Sequence, residues 1–267
     1  MLLAAGPGRI CFDLVGPDAA PVVCLAHALS SDMGVWAEQV PPLLQAGWRV
    51  LRIDMRGHGG SDAVPGACTM AGLAGDVVTV LDFLGLPQVH FVGLSIGGMI
   101  GQQLALDHAP RLRSLLLSGT SPNGVPGGLP MWQQRFDAMD RAGSVEALAD
   151  ATMDRWFTDA FRARRPNRWL QIRSTVAQTS LEGYRCGGLA IANFDVSAQL
   201  PGISLPTLVV CGDGDPGTPP AGNRLIAALV PGARYREIAN ARHIPMVEHP
   251  DLYSGILLDW LTSCRGG

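Results

Sequence analysis

The chain has 267 residues, 47% of them hydrophobic, with a formal net charge of −3 and a pI near 6.0. That length suits one large α/β domain or a domain carrying an inserted cap, and the apolar content excludes an intrinsically disordered chain. The charge balance implies no basic face for nucleic acid, and all 20 basic residues are arginine, which excludes a Schiff-base lysine, a P-loop lysine and a Ser–Lys dyad.

No apolar run approaches the roughly 20 residues of a membrane span. The start, Met1-Leu-Leu-Ala-Ala-Gly-Pro7, has neither the basic region nor the full apolar core of a secretory signal. The six cysteines, at positions 11, 24, 68, 186, 211 and 264, form no C-x-x-C pair. Cys11, Cys24 and Cys211 lie in apparent strands and read as buried thiols, so the expected compartment is the reducing cytoplasm. The expected partner is a small molecule, without nucleic acid or membrane, and a homo-oligomer is left open.

In chain order, Arg9 to Val15 reads as an early edge strand and Pro21 to Ala26 as a buried strand that ends in His27-Ala28-Leu29-Ser30. Trp36 to Ala46 reads as a helix closed by Gly47, and Trp48 to Ile53 as a strand running into Asp54-Met-Arg56-Gly57-His58-Gly59. Over Thr69 to Leu84, the residues Leu73, Val77, Val80, Leu81 and Leu84 share one face at a 3.6 period, which predicts a helix. Val89 to Leu94 is a short apolar run with the character of a buried strand, and Ile96 to Leu106 has that of a buried helix ended by Pro110. Leu112 to Leu117 is a further strand.

Strand and helix alternate up to this point, which implies a mostly parallel sheet with helices on both faces. From about Thr120 to Leu200 the rhythm breaks. This block is rich in Trp and Arg, opens on Pro122, Gly124, Pro126, Gly127, Gly128 and Pro130, and reads as helical. Alternation resumes at Pro206 to Gly212, then a helix to about Val230, a strand Arg234 to Ile238 and a last helix Pro250 to Leu261. Residues 1–119 and 201–267 therefore form the expected core domain, and 120–200 an inserted helical cap.

Between the run at 89–94 and the helix at 96–106 stands Gly93-Leu-Ser95-Ile-Gly97, a G-x-S-x-G pattern. A strand that turns sharply into a helix strains its corner residue, and small residues two before and two after give the corner room. The corner side chain then stands at the sheet's carboxyl edge on a helix N-terminus, where developing negative charge is favoured. Two further reactive types follow strands downstream: the loop Asp213-Gly-Asp215, and His243. The order Ser, Asp, His is that of one known arrangement of acyl-transfer triads and differs from two others. Ser95 needs a base, His243 supplies it, and a carboxylate holds the imidazole in the right tautomer; Asp213 and Asp215 both qualify. The backbone N–H groups of Ile96 and Leu29 are the expected oxyanion donors. His27, His58 and Asp54 read as loop-bracing residues, and His249 as a helix-start residue.

Taken together, His27-x-Leu29, Asp54-x-Arg56-Gly-His58-Gly, Gly93-x-Ser95-x-Gly-Gly98, Gly212-x-x-Asp215-x-x-Thr-Pro219 and His243 resemble the α/β-hydrolase fold superfamily. The resemblance implies a mostly parallel central sheet flanked by helices, a helical cap and Asp215 as the acid. The chain is further similar to 3-oxoadipate enol-lactonases in Gly93-Leu-Ser-Ile-Gly-Gly-Met-Ile-Gly-Gln102, in Asp154-Arg-Trp156-Phe157-Thr, in Gly183-Tyr184-x-Cys186 and in Asp195. That family opens an enol-lactone ring bearing a carboxylate arm in aromatic degradation and uses no cofactor.

The chain departs from that family after Tyr184, where it reads Arg-Cys-Gly-Gly-Leu-Ala-Ile-Ala-Asn-Phe, and in its early loop, Ala28-Leu29-Ser30 where Ser-Leu-Gly is common. Both changes concern the substrate. Trp36, Arg155, Trp156 and Tyr184 are the candidate substrate contacts, Arg155 as a clamp for a carboxylate. With nine Arg against eight Asp plus Glu between Ser121 and Leu200, most cap arginines read as a solvated mixed-charge surface. The leading expectation is a serine esterase or lactonase acting on a small carboxylic ester or lactone through an acyl-enzyme. A general carboxylesterase, a C–C hydrolase of ring-cleavage products, and a non-enzymatic ligand receptor on the same fold stand behind it. Leu29 argues against a perhydrolase, and Ser95 against a dehalogenase, whose nucleophile is an aspartate.

Overall fold

The computed structural model describes residues 1–66, 68–124 and 128–265. Eight strands form one sheet: β1 (Leu2–Ala5), β2 (Gly8–Val15), β3 (Val22–Ala26), β4 (Arg49–Ile53), β5 (Val89–Leu94), β6 (Leu112–Ser118), β7 (Thr207–Gly212) and β8 (Arg234–Ile238). Their spatial order is β1-β2-β4-β3-β5-β6-β7-β8. β2 runs antiparallel to β1 and β4, and every pair from β4 to β8 is parallel. β3, β5 and β7 are buried at every residue, as strands covered on both faces must be. In β5, Val89 and Phe91 join one core cluster while Val92 and Leu94 join the other, so the period of two divides one strand between two cores.

The helices of the sheet framework are α1 (Val40–Gln45), α2 (Met70–Phe83) and α3 (Ile96–Asp107). Thr69 caps α2 by accepting the Gly72 N–H at 3.0 Å. Between β6 and β7 lie α4 (Gly128–Ala142), α5 (Ala149–Trp156), α6 (Asp159–Arg164), α7 (Pro166–Ala177) and α8 (Leu181–Ala192). α9 (Pro220–Leu229), α10 (Pro245–Glu248) and α11 (Pro250–Ser263) complete the chain. Trp132, Phe136 and Tyr184 of the inserted helices belong to one core cluster, and Trp156, Phe161 and Trp169 to the other. The insert therefore shares both cores of the sheet and has none of its own. Pro126 and Gly127, read as part of its opening, lie outside the described residues.

Three expectations are corrected. The sheet edge is β1, not the strand at 9–15: Leu2 to Ala5 pair with Gly8 to Cys11 in a hairpin, a strand too short and too apolar on both sides to show alternation. The helix expected from Trp36 starts at Val40, because Pro41 and Pro42 lack N–H groups and are tolerated only in a first turn; Met33–Trp36 is a separate 3₁₀ turn. Of the three cysteines read as buried thiols, Cys24 and Cys211 are buried but Cys11 is only half-buried, and Cys68 and Cys186, for which no pairing is expected from the sequence, are joined in a disulfide across 118 residues with Cα atoms 4.9 Å apart. No helix among the described residues is long and apolar enough to cross a membrane.

Candidate active site

The parallel register brings strand ends together. Ala26 lies beside Gly93, Leu94 beside Ser118, Ser118 beside Val210, and Gly212 beside Ile238. The loops that follow these residues consequently meet at one edge of the sheet, and they carry Leu29, Ser95, Asp215 and His243.

Ser95 sits between β5 and α3 with φ 57° and ψ −116°, a conformation that costs a non-glycine residue roughly 1–3 kcal/mol. Its surroundings enforce it. A Cβ on Gly93 would lie 2.2 Å from the Gly97 carbonyl oxygen, and one on Gly97 would lie 2.5 Å from that of Ala26, so neither position admits a side chain. The Ser95 N–H donates to the Ser118 carbonyl at 2.9 Å, and the Thr120 hydroxyl donates to the Ser95 carbonyl at 2.7 Å. The Ile96 N–H belongs to the first turn of α3, whose donors have no intrahelical acceptor.

His243 donates from Nδ1 to Asp215 Oδ2 at 2.8 Å. The second carboxylate oxygen, Oδ1, accepts the N–H groups of Gly217 and Thr218 at 2.8 and 3.0 Å. Burial alone would raise the Asp215 carboxyl; the His243 ring and the Thr218 donors outweigh it and hold the group below its ordinary value. Asp213, the other acid in that loop, is exposed and among the described residues accepts only the Ala241 N–H, at 3.3 Å, which removes it from the site. Trp156 stacks on the His243 ring at 6.2 Å between centroids. Glu248, buried below the same loop, accepts the Arg242 N–H at 2.5 Å and both the N–H and hydroxyl of Thr158 at 2.8 and 2.7 Å. It ties the loop bearing His243 to the cap.

His27 braces the loop that bears Leu29. Its Nδ1 donates to the Ala28 carbonyl at 2.8 Å and its Nε2 accepts the Met55 N–H at 2.9 Å, which requires a neutral ring; burial pushes its pKa down to about 4. Asp54 accepts the N–H groups of Met33 and Gly60 at 2.7 and 2.9 Å. His58 donates from Nδ1 to the Arg56 carbonyl at 2.9 Å, and the half-buried His249 bonds the Asn240 carbonyl through Nε2 at 3.0 Å.

A cavity of about 200 Å³ opens on this edge. Leu29, Ser95 and His243 line it from the core, and Trp132, Arg135, Arg155, Trp156 and Tyr184 from the cap. Three of the four expected substrate contacts thus reach the cavity. Trp36 does not: it is fully buried in the core against Tyr253, at 6.2 Å between ring centroids, because its turn packs against β3 and α10. Sequence reasoning also missed Thr218, which satisfies Asp215, and Arg135, which lies three residues after Trp132 and so on the same helix face. Burial, and then the charge of Arg135, lowers the pKa of Arg155. Arg155 bonds the Thr152 hydroxyl at 2.9 Å, and Arg135 lies over the Trp132 ring at 4.9 Å. Neither has an ion-pair partner within 4.0 Å among the described residues, whereas Arg165, Arg168, Arg173 and Arg185 of the same cap all do. Among the described residues no cluster of His, Cys, Asp and Glu has the form of a metal site.

A mostly parallel sheet with a strained serine after β5, an acid after β7 and a histidine after β8 is the organisation of an α/β hydrolase. The chain belongs to that family: the pattern of the alpha/beta hydrolase fold matches residues 21–250. It is 30% identical to 3-oxoadipate enol-lactonase 1 of Acinetobacter baylyi over 94% of this chain and 92% of that protein. The solved enol-lactonase of Burkholderia xenovorans is similar at TM-score 0.94 and 36% identity, covering 98% of this chain and all (100%) of that one. An esterase from Thermogutta terrifontis, solved with malate bound, is similar at TM-score 0.90 and 26% identity over 99% of both chains. The protein is a hydrolase of the lactonase and esterase group.

Proposed function

We propose that the protein is a serine hydrolase that opens a small lactone carrying a carboxylate, in the manner of a 3-oxoadipate enol-lactonase. The observation that carries this reading is the pair Arg135 and Arg155. Two cations line one largely apolar cavity without a carboxylate partner of their own, and burial already works against the charge of Arg155. A substrate carboxylate relieves that repulsion and gives planar guanidinium groups the partner they bind best. The likeness to the enol-lactonases supports the same substrate class.

The chemistry follows from the residues at the cavity. Ser95 Oγ attacks the lactone carbonyl carbon while His243 Nε2 takes the hydroxyl proton. Asp215 stabilises the imidazolium and keeps Nδ1 protonated. The carbonyl oxygen becomes an oxyanion between the N–H groups of Leu29 and Ile96, and each such donor is typically worth roughly 3–4 kcal/mol. The ring C–O bond breaks as His243 returns the proton to the leaving oxygen, giving an enol that ketonises. Water, deprotonated by His243, then frees the acid and restores Ser95. Each step is acyl chemistry or proton transfer. We place the enzyme in the cytoplasm on its four free thiols. The Cys68–Cys186 bond speaks against that placement. Non-reducing electrophoresis of alkylated fresh lysate decides it: a reduced pair supports the cytoplasm and an intact bond overturns it.

The test compares kcat/KM for freshly generated 3-oxoadipate enol-lactone with that for p-nitrophenyl butyrate. A hundredfold preference for the enol-lactone is expected. A preference for the neutral ester returns the protein to the general carboxylesterases.

A further inference from the structure

Residues 28–31 form a β-turn closed by the Ser31 N–H on the Ala28 carbonyl at 3.1 Å. Leu29 and Ser30 are its central residues, and Ser30, the second of them, has φ +63°. A left-handed conformation at that position is what glycine supplies without steric penalty. This chain places a serine there. Only three described non-glycine residues have positive φ, and one of the others is Ser95.

The serine side chain does nothing for the protein that would offset this strain. Ser30 is 1% exposed, and its Oγ is buried without a hydrogen-bond partner. A buried hydroxyl without a partner is a loss relative to its hydrated state. Ser and Asn are tolerated in the left-handed region when the side chain bonds the local backbone; Ser30 makes no such bond. Strain and an orphaned polar atom therefore coincide in one residue, and that residue lines the cavity with Leu29, Ser95 and His243. Backbone strain that persists without a structural return is characteristic of functional positions.

We propose that the Ser30 hydroxyl is a third donor of the oxyanion site: Oγ–H donates to the acyl oxygen beside the Leu29 and Ile96 N–H groups, most strongly when that oxygen carries the charge of the tetrahedral intermediate. The hydroxyl turns about a single side-chain bond and has no protein partner to give up. Ser30 moves no proton and forms no bond to carbon. The assignment rests on the serine-hydrolase reading above.

The experiment pairs Ser30→Gly with Ser30→Ala and measures kcat and KM on p-nitrophenyl butyrate, the melting temperature, and the end-point of fluorophosphonate labelling. Glycine removes both the hydroxyl and the strain, whereas alanine removes only the hydroxyl. The expected result is about a tenfold loss of kcat in both variants with KM little changed, while Ser30→Gly melts no lower than the parent. A residue kept only for structure would leave kcat of the glycine variant unchanged or improved. A kcat loss under threefold in Ser30→Gly, or a loss confined to KM, overturns the proposal. Complete labelling of Ser95 in the parent and both variants separates that result from failure of the hydrolase reading, in which the parent itself does not label.

Discussion

The core edge and the cap wall face each other across one cavity and are built on opposite principles. On the core edge, backbone geometry does the positioning. Gly93 and Gly97 enforce the strain at Ser95, Thr120 holds its carbonyl, and Asp215 has both oxygens occupied before any substrate arrives. On the cap wall, side chains project from helices, and Arg135 on α4 and Arg155 on α5 lack the ion pairs that Arg168 and Arg173 on α7 and Arg185 on α8 possess. Apart from the Ser30 hydroxyl, the polar groups named on the core edge are already held by the protein, whereas the two guanidinium groups of the cap wall have no counter-ion among the described residues.

The sharpest way to break this comparison is Ser95→Ala. If the core edge carries the chemistry, turnover falls by roughly five to six orders of magnitude while the fold is retained. Residual turnover within a hundredfold of the parent, checked by single-turnover kinetics, would move the nucleophile elsewhere.

Acid is expected to strike the core before the cap. His27, His58 and His90 are buried, and burial pushes each pKa from 6.5 to about 4. A histidine whose folded pKa is depressed binds its proton better in the unfolded chain. Its contribution to stability is therefore full above about pH 6.5 and is lost as pH falls from there to about 4. The loss approaches ~3 kcal/mol for a fully buried ring. Melting temperatures between pH 7 and 4.5 should fall steeply, and a flat profile would mean that these rings are hydrated. Asp215 has a depressed pKa too, but its contribution is lost only at lower pH, as pH falls below the ordinary carboxylate range.

The bond between the two regions offers a smaller perturbation. Cys68 precedes α2 and Cys186 lies on α8, so the disulfide ties the sheet framework to the cap. Opening it by reduction, or by Cys68→Ser, should cost about 2–4 kcal/mol, read as a lower urea midpoint in the reduced protein. An unchanged midpoint would leave packing alone to hold α8 in place. Packing there is already close: a Cβ on Gly183 would come within 2.2 Å of the Gly57 carbonyl oxygen, and one on Gly187 within 2.5 Å of the Leu29 side chain.

The mildest test lies wholly in the cap. Arg155→Leu should lower kcat/KM for the carboxylate-bearing lactone about thirtyfold, near 2 kcal/mol, and leave p-nitrophenyl butyrate within a factor of two. Equal losses on both substrates would make Arg155 a packing residue that supports Trp156 and not an anion site.

The framework was legible in the sequence because its determinants are local. Alternating apolar runs mark strands buried on both faces, G-x-S-x-G marks a corner that only small neighbours permit, and a Ser, Asp, His order after successive strands marks one sheet edge. β1 was not legible, since four residues show no period, and neither was the start of α1, which two prolines displaced. The cap resisted for a different reason. Whether Arg135 faces a cavity and Arg185 a surface aspartate, whether Trp36 joins the core while Trp156 stacks on His243, and whether Cys68 meets Cys186 across 118 residues are matters of how helices lie on the sheet. Chemistry set by backbone conformation can be read along the chain. Preference set by side chains from distant helices exists only once those helices are packed, because burial and the absence of a counter-ion are properties of neighbours in space.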